Sequence, residues 1–159
     1  MTAIRPATRA DVATILRFIR ELAAYEREPD AVEATEASLA LALFGEHPAA
    51  EAVIADHDGH PVGFALFFHN FSTWTGRRGL YLEDLYVTPD ARGQGAGRAL
   101  LAHLADIALT RGCARFEWSV LDWNTPAVDF YRKVGAVPMD GWTIQRVTGD
   151  ALAALAGRG

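Results

Sequence analysis

The sequence is poor in cysteine and basic clusters, and it has no long apolar run. Cys113 is the only cysteine among 159 residues, which excludes an internal disulfide and a thiolate zinc cluster. The net charge is −5 and basic residues form no run, so nucleic acid is not an expected partner. No stretch approaches the about 20 apolar residues of a membrane span, and the N-terminus lacks an apolar signal segment. We therefore expect a cytoplasmic protein that does not bind membranes.

Histidine is present but is not spaced for metal binding. None of the five histidines forms a helical ligand pair. His57 and His60 flank Asp58-Gly59, a dipeptide typical of a hairpin turn, and histidines at such a turn are usually solvated. The sequence predicts no metal site.

The length and the apolar content favour one domain. Half of the residues are hydrophobic, enough for a single sizeable core with little left over for a second. We find no linker, repeat or low-complexity segment, and expect one domain over residues 1–159.

Hydrophobic periodicity and turn residues predict alternating strands and helices. The order is β-α-α-β-β-β-α-β-α-β, an α/β fold with a mixed central sheet flanked by helices. The predicted strands are residues 3–6, 52–55, 61–71, 79–87, 115–121 and 142–147, the last followed by an alanine-rich tail. The predicted helices follow Thr8, cover Glu36–Phe44, run from the glycines near residue 95 to Gly112, and run from Thr125 to Gly135.

Two helices show a clear apolar face. In the first, Thr8 and Asp11 form a capping pair, and the face consists of Val12, Ile15, Leu16, Ile19, Leu22 and Ala23. In the last, Thr125 is the expected N-cap with Pro126 in the first turn, and the expected buried face consists of Ala127, Phe130, Tyr131 and Val134.

A glycine-rich loop at residues 92–97, Arg-Gly-Gln-Gly-Ala-Gly, joins the fourth strand to a helix. Free backbone N–H groups at a helix N-terminus favour an anion, most often a phosphate. A Walker A loop is excluded because Arg98 and Ala99 stand where lysine and a hydroxyl residue are needed. A dinucleotide fingerprint fails because its third glycine position is Arg98. The alternative is a glycine-rich turn without a ligand.

Two adjacent carboxylates interrupt the apolar fourth strand. Glu83 and Asp84 must be paired, open to a cavity, or shifted in pKa, because burying an unpaired charge is costly. For Asp84, a structural salt bridge to an arginine and a functional role are equal alternatives. For Glu83 we favour a functional role, since the strand leads directly into the glycine loop, and we expect it to be partly buried.

Tyr131 is a third candidate. On helical spacing it shares a face with Ala127 and Val134, and a buried phenol needs a hydrogen-bond partner. A core tyrosine and a functional residue are both compatible with this position. Cys113 precedes a strand and is expected to be a core residue.

Several segments resemble the GNAT acetyltransferases. The pattern Arg-x-x-Gly-x-Gly after a strand is similar to their acyl-CoA pyrophosphate loop, and residues 120–131 are similar to their asparagine and tyrosine element. Within that superfamily the chain resembles the spermidine/spermine and thialysine N-acetyltransferase branch. The resemblance rests on residues 4–8, 20–26, 44–48, 72–76, 81–84, 122–124 and 141–142.

The resemblance implies acetyl-CoA as co-substrate, held between two splayed strands, and a homodimer. The pyrophosphate would lie on the glycine loop, and the thioester carbonyl would accept a backbone N–H from the central strand. A hydroxyl residue common in the family is Ala127 here, so one contact is expected to be missing. The residues implied in binding are Leu85, Tyr86, Val87, Arg92, Gly93, Gln94, Gly95, Ala96, Gly97, Arg98, Asn124, Ala127 and Tyr131.

The resemblance also implies the chemistry of the site. Tyr131 would be the general acid and Glu83 would assist deprotonation of the amine, whose pKa of about 10.4 prevents attack while it is protonated. A pocket of several carboxylates would select a small polycationic or diamino substrate. The residues implied in amine binding are Tyr25, Glu26, Glu83, Asp84, Glu117, Ser119, Asp140 and Trp142.

Two other functions compete with this one. A non-catalytic acyl-CoA sensor would share the fold but would not need Tyr131 or Glu83. Acetylation of a protein or peptide amine would need a groove for backbone, whereas the acidic segment 25–36 suits a small cation. Asp140 stands where the family usually has glutamate, so polyamine and thialysine-like amines both remain open.

Overall fold

A five-stranded sheet is the centre of the first of two compact units, Met1–Leu121 and Asp122–Gly159. The computed structural model describes all 159 residues. The strands lie in chain order, antiparallel except for the last pair, which is parallel. They are β1 (Thr2–Pro6), β2 (Glu51–His57), β3 (His60–Ser72), β4 (Arg77–Val87) and β5 (Phe116–Trp118). The mixed α/β fold expected from the sequence is confirmed.

Three helices belong to the first unit and two to the second. They are α1 (Val12–Tyr25), α2 (Glu36–Phe44), α3 (Ala96–Thr110), α4 (Thr125–Lys133) and α5 (Gly149–Leu155). The bounds of α2 and the glycine loop before α3 are as predicted, because N-caps and glycines act locally.

The start of α1 is fixed by a buried carboxylate. Asp11 accepts hydrogen bonds from the Thr8 backbone N–H at 2.7 Å and from the Arg5 guanidinium at 2.8 and 2.9 Å. Arg5 also reaches Asp56 on β2 at 2.6 Å. The Arg5 hydrogen bond outweighs burial and lowers the pKa of Asp11, so this charged group stabilises the junction of β1, β2 and α1.

The two faces of the sheet are covered by different helices. On one face α1 and α2 pack against β3 and β4, and the fully buried Phe18 stacks on Phe64 at 5.8 Å and lies 5.7 Å from the Tyr86 ring. Phe18 is a core residue that the predicted apolar stripe omitted. The other face is covered by α3, with a buried set consisting of Ala65, Phe67, Leu80, Leu82, Leu100, Leu101 and Leu104.

The β2–β3 hairpin is confirmed. Asp58 and Gly59 have φ angles of 50° and 80°, both in the left-handed region that a two-residue type I′ turn requires. β2 therefore ends at His57 and β3 begins at His60.

Two strand predictions need correction. No strand forms at residues 142–147, which are all exposed, and the tail that follows forms α5. A strand needs a partner for its backbone groups, whereas the alanine-rich tail can satisfy its own as a helix. The predicted strand at residues 115–121 is shortened to β5, which pairs with β4 over three residues.

The prediction for α4 is also corrected in detail. Asn124, not Thr125, is the N-cap, and its side-chain oxygen accepts from the Ala127 N–H at 3.4 Å. The predicted buried face is only half-buried, at Ala127, Phe130, Tyr131 and Val134. No helix in the chain is long and apolar enough to cross a membrane.

Candidate active site

A β-bulge in β4 arranges the carboxylates. Leu66 of β3 pairs with Asp84 and Phe67 pairs with Leu82, so Glu83 is one residue too many for the ladder. Adjacent residues of a regular strand point to opposite faces, but the extra residue cancels this alternation. The register therefore places both Glu83 and Asp84 on the face that α1 covers.

The charges of two other carboxylates act on Asp84. Burial is the main cause that raises the pKa of Asp84 to about 6, followed by the charges of Glu83 and Glu26. Asp84 is half-buried, as is Glu26, whose pKa is raised by its own burial. Glu26 follows the last residue of α1, so the end of that helix and the bulge of β4 form one acidic cluster, Glu26, Glu83 and Asp84.

The structure shows the ion pairing and the exposure of the predicted acidic residues. Neither Glu83 nor Asp84 takes part in an ion pair, so the salt-bridge alternative for Asp84 is wrong. Glu83 is exposed rather than partly buried, because the bulge turns it out of the ladder. Asp140 and Trp142 belong to the second unit, where both are exposed.

Tyr81 extends the cluster toward β5 and was missed by the sequence reasoning. Its hydroxyl lies 2.8 Å from the Ser119 hydroxyl, and its ring centroid lies 5.2 Å from that of Phe68. Parallel pairing sets Tyr81 beside Glu117. Strand alternation puts Tyr81 on the same face as Glu83, a signal that the sequence did contain.

The edge of β4 opens beyond the acidic cluster. Parallel pairing with β5 ends at Leu82 and Trp118, while β4 continues to Val87. Leu85, Tyr86 and Val87 therefore lie beyond the end of β5 and of its pairing, and an extended ligand can reach their outward backbone groups. The resemblance implies contacts with the co-substrate at these three residues, and they lie on this unpaired edge.

The glycine loop ends in an open helix N-terminus. Gly93 and Gly95 have φ angles of 78° and 87°, and Gly95 is the N-cap of α3. A Cβ built on Gly95 would have no heavy atom within 4 Å, so the space before the helix is open. Backbone N–H groups at such an end are suited to an anion.

Arg92 does not extend freely into this loop. Its Nε donates to the Val87 carbonyl at 2.9 Å, and its guanidinium lies 5.2 Å from the ring centroid of Tyr25. The Gln94 side chain also turns back, donating to the Asp90 carbonyl at 3.4 Å. Arg98 is exposed and Ala96 is buried.

Tyr131 lies in α4, half-buried, with its ring centroid 5.6 Å from that of Phe130. It is not a fully buried core residue, which leaves its hydroxyl compatible with chemistry. Cys113 is buried, as predicted. No group of three or more His, Cys, Asp or Glu residues is arranged to hold a metal ion.

Comparison with known proteins decides the family. The acetyltransferase (GNAT) family matches residues 15–136. The chain belongs to the GNAT acetyltransferase family. It is 43% identical over 166 residues to a thialysine N-epsilon-acetyltransferase from Sus scrofa, covering 98% of this chain and 97% of that protein. It is 36% identical to a human spermidine/spermine N(1)-acetyltransferase-like protein 1, covering 96% of this chain and 23% of that protein.

A solved structure agrees with the fold of this acetyltransferase. An integron cassette protein from the mobile metagenome of V. cholerae superposes with a TM-score of 0.80 at 31% identity, covering 98% of this chain and 97% of that one. GNAT enzymes use acetyl-CoA as co-substrate to acetylate amines, so the chain is an N-acetyltransferase.

Proposed function

We propose that this acetyltransferase transfers an acetyl group from acetyl-CoA directly to a primary amine of a small substrate with two cationic nitrogens. Polyamines and thialysine-like amino acids are the substrate classes. The observation that carries the proposal is the acidic cluster: the charges of Glu83 and Glu26 both act on the half-buried Asp84, and none of the three takes part in an ion pair. Carboxylates that repel one another are stabilised by protonation or by a bound cation, and a substrate with two ammonium groups neutralises more of the cluster than a substrate with one.

In the proposed reaction Glu83 removes the proton from the attacking ammonium, directly or through water. Its exposed position on the bulge lets the proton leave to solvent. The neutral amine attacks the thioester carbonyl, and the C–S bond breaks as the C–N bond forms. Tyr131 donates its proton to the departing thiolate, so no covalent enzyme intermediate is needed. Glu26 and Asp84 hold the second cationic nitrogen.

The co-substrate site consists of two features described above. The pyrophosphate binds the N–H groups at residues 93–97, and the acyl-pantetheine arm lies along the open edge of β4 at residues 85–87. Asn124, Ala127 and Tyr131 are the proposed contacts from α4. Tyr25, Glu117 and Ser119, with Asp140 and Trp142, complete the proposed amine site.

The remaining parts of the proposal concern the molecule as a whole. We propose that residues 1–159 act as one catalytic domain and that the enzyme is a cytoplasmic homodimer, as the family resemblance implies. Light scattering coupled to size-exclusion chromatography tests the dimer: a mass twice 17.3 kDa is expected, and a monomeric mass contradicts it.

An amine panel tests the function. Thiol release from acetyl-CoA is measured with spermidine, diaminopropane, thialysine, lysine, ornithine and tyramine, together with an aminoglycoside and a peptide carrying a free amine. We expect kcat/KM to be highest for a polyamine or thialysine and at least about tenfold lower for tyramine, because a monoamine leaves a desolvated carboxylate unpaired.

Each rival function has its own outcome in the panel. Acetyl-CoA binding without release of thiol for any amine would support an acyl-CoA sensor. Preference for the peptide would support acetylation of a protein amine. Equal efficiency with an aminoglycoside or a monoamine would contradict the role of the acidic cluster.

A further inference from the structure

Arg92 belongs to the glycine loop, yet its side chain contacts the opposite side of the site. Its Nε donates to the Val87 carbonyl at 2.9 Å. Its guanidinium carbon lies 5.2 Å from the ring centroid of Tyr25 and 5.6 Å from that of Tyr86. One side chain thus joins the end of β4, the core tyrosine of that strand and the last residue of α1.

The two tyrosine rings that Arg92 contacts differ in burial. Tyr86 is buried and lies 5.7 Å from the Phe18 ring in the core, so it is a fixed support. Tyr25 is 41% exposed and ends α1. Arg92 therefore connects a rigid strand to an exposed helix end, where contacts decide local order.

The end of α1 carries an acid of the amine site. Glu26 directly follows Tyr25, and its N–H donates to the Leu22 carbonyl at 2.9 Å. Its charge acts on Asp84, and the proposed function assigns both carboxylates to the same cationic nitrogen. Displacement of Tyr25 would displace Glu26 from the acidic cluster.

We propose that Arg92 is a positioning residue for the amine site: it holds Tyr25, and through it Glu26, against β4. The inference rests on the proposed function for the identity of the substrate. It also reassigns Arg92, since the sequence reasoning placed it among the residues that contact the co-substrate. In this proposal the backbone N–H groups of the glycine loop bind the pyrophosphate of acetyl-CoA. The Arg92 side chain of the same loop orders Glu26, which binds a cationic nitrogen of the substrate.

Arginine is suited to this role in a way that lysine is not. A guanidinium is planar, stacks on aromatic rings and donates from Nε. A lysine ammonium would still attract a phosphate as a point charge but would lose the Nε donor and the stacking geometry. The variants Arg92→Lys and Arg92→Ala therefore separate positioning from phosphate binding.

The first experiment measures KM for the preferred diamine and for acetyl-CoA. We expect Tyr25→Leu and Arg92→Lys to raise the diamine KM about two- to tenfold, the range of a modest cation–π contact, with little change in the acetyl-CoA KM. Neither variant changes the net charge. Tyr25→Phe keeps the ring that Arg92 contacts, so it should raise the diamine KM less than Tyr25→Leu does.

Arg92→Ala removes a positive charge as well as the contact. Loss of the charge would by itself favour binding of a cationic substrate. Arg20→Ala is its control, because Arg20 is an exposed arginine of α1 with no role in the site. A double-mutant cycle of Arg92→Ala with Tyr25→Leu should be non-additive. If Arg92→Ala raises the acetyl-CoA KM and Arg92→Lys restores the wild-type value, Arg92 acts as a charge on the phosphate, and the proposal is overturned.

Hydrogen exchange tests the positioning without any turnover. The N–H groups of Glu26 and Glu28 bond to the carbonyls of Leu22 and Ala23, both at 2.9 Å. We expect them to exchange several-fold faster in Arg92→Ala and Arg92→Lys than in wild type or Arg20→Ala, with exchange in β3 unchanged. If exchange at these amides is unchanged in the Arg92 variants, the positioning role of Arg92 is refuted, even if the amine panel confirms the proposed substrate class. If exchange is faster but no amine is acetylated, only the proposed function is refuted.

Discussion

Asp84 combines a cost in stability with a proposed role in binding the amine. Folding raises its pKa to about 6, so the folded state holds its proton more tightly than the unfolded state. The tighter binding of this proton stabilises the folded state. The stabilisation is complete below about pH 4, where the unfolded carboxyl is also protonated, and is lost as the pH rises through about 6. A stability cost at an active site is common where function requires charge.

The variant Asp84→Asn tests this cost. At pH 8 we expect it to raise the free energy of unfolding by up to about 2–3 kcal/mol, since it removes a half-buried charge beside two others. At about pH 4 the gain should vanish. Urea denaturation at both pH values measures it, with Asp106→Asn on the exposed surface of α3 as control. An equal gain at both pH values would show that the charge of Asp84 is not the cause.

Tyr131 can be tested by removing a single oxygen. Tyr131→Phe keeps the ring that lies beside Phe130, so the fold should survive. Loss of a proton donor to the thiolate should lower kcat on the order of 10²–10⁴-fold. The measurement is steady-state turnover together with a circular dichroism melt. A well-folded variant with nearly wild-type kcat would return Tyr131 to a packing role.

At the scale of elements, the glycine loop and the bulge of β4 are the two local irregularities at the candidate site. The loop departs from ordinary backbone at Gly93 and Gly95, where φ is positive. The bulge departs from ordinary pairing at Glu83. Irregularities of this kind are found next to active sites because they redirect backbone or side chains.

Gly95→Val tests the loop. A branched side chain at φ 87° is strained and would stand before the N–H groups of α3, where the pyrophosphate is proposed to bind. We expect the Kd for acetyl-CoA, measured by calorimetry, to rise on the order of tenfold or more, or about 1.4 kcal/mol. The control is Gly76→Val in the β3–β4 turn, where φ is 67° and the space is equally open.

Both glycine variants should lower the melting temperature, because both place valine in the left-handed region. Only Gly95→Val should weaken acetyl-CoA binding. If the two variants bind acetyl-CoA as tightly as wild type, the anion does not lie at this helix end.

For the whole molecule, net charge sets how substrates approach. The chain carries −5, and the acidic cluster adds a local negative field that attracts cations. We expect kcat/KM for a diamine to fall as ionic strength rises from about 0.02 to 0.5 M, and to fall more steeply than for a monoamine, because screening acts on each charge. A matched series in potassium chloride measures both slopes. Equal slopes would show that only one cationic nitrogen interacts with the site.

The sequence alone determined the features that depend on near neighbours. The Asp58-Gly59 turn, the capping pair before α1, the bounds of α2 and the glycine loop each follow from residues within one or two turns of chain. The family resemblance rests on the same local motifs, and it was sufficient to identify the acetyltransferase. Through that resemblance, the sequence also assigned Glu26, Glu83, Asp84 and Asp140 to one amine site.

Only the tertiary structure decided how those acids are arranged. Register between β3 and β4 is a long-range property, and it is register that makes Glu83 a bulge and puts Asp84 on the same face. The direction of Arg92 depends on Tyr25, which lies on another element. The same reason explains the wrong strand at residues 142–147: an alternating pattern fits a strand, but only a pairing partner makes one.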